Sequence, residues 1–348
     1  MKELAKSLIE KSKSFVYHKE HHIYASKVLK VIESQRGKLD SKNKKLCKEY
    51  ASDVFGHKKY APWLITYSSF HNEFKEGWIP DNYYGEIVVP KIKGNYGEIC
   101  NRTLILNKLI DRKFSTHIGY YINDLFVDLD NIYYQFENFK EMLFKNNSKI
   151  VFKAESSFQG KGVYVFNETS FNYDNIKKLG DGVFQKYIEQ HQFFNQFNKS
   201  AVATIRLTSA RNKEGEIEIR AGFFKFGREN DTHVKSTSAL KIPFDIKTGE
   251  LHDKVFFPDW TYADSIPEKK LSFYKLKFPN YEQCVLEIIR LHKTISYIGC
   301  IGWDFVVDNN NNLKIIELNG GHNGIWFDEM VKGPCFKGLG WEKLHKTT

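Results

Sequence analysis

No stretch of this sequence stays apolar for the roughly 18 residues that a membrane-spanning helix needs, so no integral membrane segment is expected. The first residues, Met1-Lys-Glu-Leu-Ala-Lys-Ser-Leu8, lack the apolar centre of a secretory signal. Cysteine is scarce: five residues, at 47, 100, 284, 300 and 335, with no Cys-x-x-Cys pair. That excludes a zinc ribbon and a disulfide framework, and it fits a reducing cytoplasm. The net charge of +10 comes with no Cys/His finger and no recognition-helix pattern, so nucleic acid is not an expected partner. Also missing are an internal repeat, a Walker A loop, a Rossmann fingerprint and any convincing Ser-His-Asp or Cys-His arrangement.

What is present is enough for a sizeable core. Hydrophobic residues make up 41% of the 348 and aromatics 15%, a length that suggests about two domains. The basic charge favours anionic partners such as nucleotides or acidic sugars. Residues 1–60 place apolar side chains at helical spacing (Leu4, Leu8, Phe15; then Val28, Leu29, Ile32), which predicts two or three amphipathic helices. Residues 61–100 are aromatic and punctuated by Gly and Pro, and read as a packed irregular region near a binding surface. Residues 201–226 alternate as an antiparallel pair turning at Lys213-Glu-Gly215. Residues 281–297 read as a helix.

Two segments carry chemistry. Gly302-Trp-Asp304-Phe-Val-Val and Leu313-Lys-Ile-Ile-Glu317-Leu-Asn319 flank the run Asn309 to Asn312, a hairpin signal. Glu317 and Asn319 are two apart and share a face. With Asp304 they offer the oxygen ligands that Mg²⁺ takes when phosphates complete its shell. The same pattern also suits an ordinary hairpin with a polar solvent face. Upstream, a strand carrying Lys153 runs through Gly160-Lys161-Gly162 into a second strand. Glycines there let backbone approach phosphate, and the lysines add charge. A plain hairpin with surface lysines fits that segment equally well.

The order of lysine strand, glycine loop, then Asp…Glu-x-Asn resembles the ATP-grasp superfamily, and most closely its sugar-transfer-associated branch. Four segments carry the likeness across residues 65–330: Leu106-Asn-Lys108-Leu-Ile-Asp-Arg-Lys113; residues 150–165; Phe184-Gln-Lys-Tyr-Ile-Glu-Gln-His191 with Thr204-Ile-Arg206-Leu; and Ile301-Gly-Trp-Asp304 with Ile316-Glu317-Leu-Asn319. The resemblance implies an α+β fold in which two lobes sandwich ATP, preceded by a helical N-terminal region. The implied divisions are 1–60 helical, 61–105 on the substrate side, 106–188 the central lobe, and 189–348 the C-terminal lobe with the metal site.

The resemblance also implies roles. Lys108 and Lys153 reach the phosphates, and Gly160, Lys161 and Gly162 form the closing loop. Gln185, Lys186, Tyr187 and Ile188 form the hinge that holds adenine. Asp304, Glu317 and Asn319 hold Mg²⁺. Many members carry an arginine just before the first metal carboxylate, where this chain has Gly302-Trp303. Arg206, Lys225 or Arg228 is expected to take its place as catalytic cation. The implied activity is an ATP-dependent carboxylate–amine ligase working through an acyl-phosphate. Its expected partners are ATP, an acidic sugar or other carboxylate of a capsular or surface polysaccharide, and an amine or amino acid. Lysines and aromatics in 60–100 and His233-Val-Lys235-Ser236 are the expected acceptor pocket. The alternatives are a kinase phosphorylating a sugar hydroxyl and a nucleotide-binding protein without turnover.

Overall fold

The computed structural model describes residues 2–155, 162–228, 231, 234, 238–266, 271–273 and 275–346, with side chains from residue 9. Gly160, Lys161, His233, Lys235 and Ser236 therefore lie outside the described residues.

Neither Gly nor Pro interrupts the first 36 residues, and they form one helix, α1 (Lys2–Arg36). Gly37, at φ 85°, ends it, its N–H reaching Glu33 O at 2.9 Å. Asp40 caps α2 (Ser41–Phe55) by accepting Asn43 N–H at 2.8 Å, and Gly56 closes it in the left-handed conformation. Pro62 sits in the first turn of α3 (Ala61–His71), where its missing N–H costs nothing. Short helical turns follow as α4 (Asp81–Tyr83), α5 (Val89–Ile92) and α6 (Leu106–Leu109).

Ala25, Val28 and Ile32 of α1 are buried, as the spacing predicts. Phe15 is not: it is 70% exposed, because it lies about a quarter-turn off the face on which Ser14 bonds Glu86 and His18 is buried. Most aromatics of 61–100 are core, although Tyr96 is 59% exposed. Trp63, Tyr67, Trp78, Tyr83 and Tyr84 are fully enclosed and share one cluster with Trp326, Phe327, Phe336 and Trp341 from the C-terminal segment. Burying each such side chain contributes roughly 1.5–3 kcal/mol. The early helices and the last residues thus form one hydrophobic unit.

Two antiparallel sheets follow. The first runs in the order β3-β2-β1-β6-β4-β5 and comprises β1 (His117–Ile122), β2 (Leu125–Val127), β3 (Tyr133–Tyr134), β4 (Ile150–Ala154), β5 (Val163–Phe166) and β6 (Gly182–Lys186). Helices α7 (Phe136–Phe144) and α8 (Tyr173–Leu179) pack on one face over Phe152 and Phe184.

The second sheet runs β11-β10-β9-β8-β7-β12-β13. Its strands are β7 (Thr204–Arg211), β8 (Ile217–Phe226), β9 (Leu240–Pro243), β10 (Val255–Phe256), β11 (Tyr262–Ala263), β12 (Cys300–Val307) and β13 (Leu313–Asn319). Helix α9 (Tyr281–Thr294) covers one face with Cys284, Ile288 and Leu291 against Trp303, Phe305 and Ile315. Trp303 Nε1 donates to Ser209 Oγ at 2.7 Å, and Ser209 Oγ lies 2.6 Å from His292 Nδ1. His292 Nε2 is 2.7 Å from Ile298 O. Ser209 and His292 are sealed from solvent, so this Ser–His contact ties helix to sheet. On the opposite face, α10 (Trp326–Lys332) and the early helices cover Ala221, Phe223 and Cys300. Beside them the sheet carries its polar residues.

Candidate functional site

The expected hairpin is present as β12 and β13. Asp304 lies opposite Glu317 and Gly302 opposite Asn319, so the three oxygen-bearing side chains share a face. On its other side Asp304 faces Arg206 of β7. Lys225 of β8 pairs with Thr204, two residues before Arg206, and lies opposite Lys241 of β9. Five adjacent strands therefore present Lys241, Lys225, Arg206, Asp304 and Glu317 on one face.

The contacts are close. Arg206 Nε donates to Asp304 Oδ1 at 2.5 Å and Nη2 donates to Oδ2 at 2.7 Å, a bidentate grip. Lys225 Nζ donates to Asp304 Oδ2 at 3.0 Å. The guanidinium lies across Gly302, where a Cβ would come within 3.1 Å of Arg206 Nη1 and 3.3 Å of its Cδ. A glycine ahead of Asp304 is thus what makes room for the arginine supplied by β7.

Burial pushes the Asp304 carboxyl up, but Arg206 and Lys225 outweigh it and hold the group below the usual carboxylate range. Burial lowers Lys225, while Asp304 counters in part. Arg206 is raised: burial works against the cation, and Asp304 more than offsets that. Burial, then Lys225 and Arg206, bring Lys241 down to about 7. Its ammonium sits among the rings of Trp260, Phe327 and Phe223, 4.5, 5.0 and 5.4 Å from their centroids.

Lys153 comes from the other sheet. Its Nζ donates to Glu317 Oε2 at 3.4 Å and links the two sheets across the cleft. Val183, opposite Lys153, is two residues from Gln185, which lies opposite His117. All four face the same way. Gln185 Nε2 and both ring nitrogens of His117 are buried with no hydrogen-bond partner among the described residues. Burial, with Lys153 nearby, lowers His117 to about 3. A cavity of about 750 Å³ borders the end of β6 and is lined by His117, Lys186, Tyr187, Ile188, Asp308 and Lys314, among others. Neither Lys153 nor Asp304 lines it, so the charged end of the cleft is defined by its ion pairs.

The structure thus brings together Lys153, Gln185, Arg206, Lys225, Asp304, Glu317 and Asn319. Lys108 is exposed on α6, and no hydrogen bond or ion pair joins it to that group among the described residues. Gly162 lies at the start of the strand after the glycine loop, its carbonyl accepting Ala154 N–H at 2.9 Å. Arg228 is exposed and borders a separate hollow with Ser238, Asp259 and Thr261. Lys241 and His117 were not among the sequence candidates. The alternation Leu240-Lys-Ile-Pro243 signals a half-polar strand, but the register that sets Lys241 opposite Lys225 is a tertiary fact. His117 carries no local signal.

Comparison with solved structures gives remote likenesses. The biotin carboxylase domain of Hydrogenobacter thermophilus 2-oxoglutarate carboxylase, solved with MgADP, ADP and bicarbonate, is 16% identical with a TM-score of 0.44, over 72% of this chain and 46% of that one. Campylobacter jejuni biotin carboxylase is 15% identical with a TM-score of 0.42, over 70% and 45%. The ATP-grasp ligase PsnB is 10% identical with a TM-score of 0.41, over 74% and 64%. The chain spans less than half the length of the two biotin carboxylase chains. No curated protein matches it. The profile of the sugar-transfer associated ATP-grasp family matches residues 91–343, well over half of the sequence. With the hairpin, the lysine strand and the two facing sheets in place, the chain belongs to the sugar-transfer associated ATP-grasp family.

Proposed function

We propose that this protein is an ATP-dependent carboxylate–amine ligase that acts through an acyl-phosphate, joining an amino acid or amine to a sugar acid of a surface polysaccharide. The observation that carries the proposal is the row of charges on five strands facing Lys153. Around two carboxylates, Asp304 and Glu317, stand Arg206, Lys225 and Lys153, with Lys241 alongside. That surplus of cations suits a polyanion such as a nucleoside triphosphate.

The donor set also suits Mg²⁺. Asp304, Glu317 and Asn319 offer oxygen alone, as a hard cation prefers. The Glu317 side chain is 45% exposed, and its Oε2 has only the long contact to Lys153. When bound there, Mg²⁺ would screen the phosphate oxygens and make the γ-phosphorus more electrophilic.

Phosphoryl transfer depends on positioning and on charge neutralisation, and these side chains supply both. Lys153, its side chain mostly buried, is held by Glu317 through a long contact that it can exchange for a phosphate. Arg206 stays fixed by Asp304 and Gly302, with Nη1 available to donate. It is placed to stabilise the oxyanion formed when the amine adds to the acyl carbonyl. His117 and Gln185 supply the unpartnered polar atoms that a base would satisfy. The sealed core beneath the charged face keeps water from reaching the intermediate from that side.

The test is thermal melting with and without Mg-ATP, for the native chain and for Asp304→Asn, followed by ADP release with pairs of uronic acid and amine. A hundredfold excess of ATP over Kd raises stability by about 2.7 kcal/mol. A Mg-dependent rise lost in the variant, with ADP release that needs both acid and amine, supports the proposal. A phosphorylated sugar formed without amine makes the protein a kinase. A melting shift with no ADP from any pair makes it a nucleotide-binding protein without turnover.

A further inference from the structure

A second cluster of ligating side chains lies outside the charged face. His21 of α1, Asp81 at the start of α4 and His322, three residues after Asn319, bring one donor atom each to within 4.8 Å of one another. His322 Nε2 is 3.5 Å from Asp81 Oδ2, and His21 Nδ1 is 3.8 Å from the same oxygen. Asp81 is 3% exposed, and its other oxygen accepts Ile325 N–H at 3.0 Å.

These distances call for an occupant. A buried carboxylate needs a compensating charge. Among the described residues no lysine or arginine pairs with Asp81. An imidazolium would close to about 2.7–2.9 Å in a charge-assisted hydrogen bond, and neither histidine does; His322 Nε2 also lies 3.3 Å from the Asp81 backbone oxygen, a contact that a metal would replace. The donors around a tetrahedral metal with bonds of about 2.0–2.1 Å lie about 3.3 Å apart. The two carboxylate–imidazole spacings need only modest contraction to reach that, and the two imidazole nitrogens, within 4.8 Å of each other, would draw closer around the ion.

The surroundings hold the donors in place. Trp63 Nε1 donates to His21 Nδ1 at 3.2 Å, so that nitrogen carries a lone pair rather than a proton. A metal would take over that lone pair. His322 packs on the Tyr84 ring at 5.5 Å, in space left by Gly85, where a Cβ would come within 2.7 Å of His322 Cδ2. The backbone between Asn319 and His322 is pinned by buried Lys93, whose Nζ donates to Gly321 O at 2.5 Å and to Asn323 Oδ1 at 3.1 Å. The His322 side chain is 35% exposed, which gives an ion a way in and leaves one coordination position for water.

We propose that His21, Asp81 and His322 bind a divalent transition metal, of the kind that imidazole favours, at a site separate from the oxygen-ligated Mg²⁺ site. Two imidazoles and one carboxylate select Zn²⁺, Co²⁺ or Ni²⁺ over Mg²⁺. The ion would join α1 to the loop that leaves the strand carrying Glu317 and Asn319. It would thereby couple the helical region to the charged face.

The test uses the full chain without a histidine tag, stripped with chelator and titrated with Co²⁺. The expected result is a visible ligand-field band saturating at one equivalent, displaced by Zn²⁺ and insensitive to Mg²⁺. His322→Ala, at a partly exposed position, should weaken Co²⁺ binding roughly 100-fold or more while keeping the melting shift with Mg-ATP. No band at stoichiometric Co²⁺ in the native chain overturns the inference. So does equal affinity in His322→Ala and in a second variant, His21→Gln. Because the Mg-ATP shift is recorded on the same samples, failure of this site and failure of the nucleotide reading are told apart.

Discussion

The two ends of the cleft are built on opposite principles. At the charged end both carboxylates are paired: Asp304 holds two cations and Glu317 holds a third. At the hinge end Gln185 Nε2 and both His117 nitrogens are buried without partners among the described residues. The charged end is organised before any substrate arrives, and a ligand must share or displace existing contacts. The end at Gln185 and His117 stays under-satisfied, as a site that a ligand completes would be. Mutations at the two ends should therefore move stability in opposite directions while both impair function.

The largest effect is expected from Asp304→Asn. Loss of the carboxylate leaves Arg206 and Lys225 buried without their counter-charge, which costs roughly 3–5 kcal/mol when one partner of a buried pair is removed. Turnover should fall by about 10³ or more. Melting temperature, and ADP release well below it, measure the two effects. Near-native values of both would dissolve the contrast between the ends.

The next effect separates the ends by pH. The Asp304 carboxyl is held below its usual range, so its stabilisation is complete above about pH 4 and is lost as pH falls through the folded value. His117 is depressed to about 3 by burial and Lys153. Between about pH 6.5 and 3 the unfolded chain takes up that proton first, so stability falls as pH falls. His117→Phe should flatten the denaturation curve across that whole window, and Asp304→Asn only below about pH 4. Urea melts at half-unit pH steps would show it, and identical changes in the two variants would refute the assignment.

His117→Phe and Gln185→Leu should each raise stability by about 1 kcal/mol at neutral pH, because an unsatisfied buried polar group is removed. ATP binding should weaken about tenfold. Calorimetric titration checks this, and tighter binding would sink the reading of these atoms as a ligand's contacts. The smallest effect is expected from Lys153→Met. Its partner Glu317 is half exposed and the contact is long, so stability should change by less than about 1 kcal/mol while ATP affinity drops. A large fall in melting temperature with no change in ATP affinity would make Lys153 structural.

The hairpin was legible in the sequence because alternating apolar residues, an Asn-rich turn and spaced oxygen ligands are all local signals. The lysine strand was legible for the same reason, and so was the strand at 183–186, whose further role came only from the family resemblance. The partner of Arg206 was not. The absent arginine before Asp304 pointed to a substitute cation, but only the strand order brings Arg206 and Lys225 to Asp304 and leaves Arg228 elsewhere. Phe15 misled because periodicity reports which residues share a face, not whether anything covers it. The early aromatics read as local packing, whereas the surface that buries them comes from the far end of the chain.

That last feature bears on how the molecule is made. Trp78 Nε1 donates to Glu329 O across 251 residues of sequence, and Trp63 stacks near Trp326. A nascent chain emerging from the ribosome displays these indoles long before their partners are translated. The early helices must wait, solvated or chaperoned, until residues 326–341 have been made. Chains interrupted before residue 326 should therefore be captured by holdase chaperones through these exposed indoles.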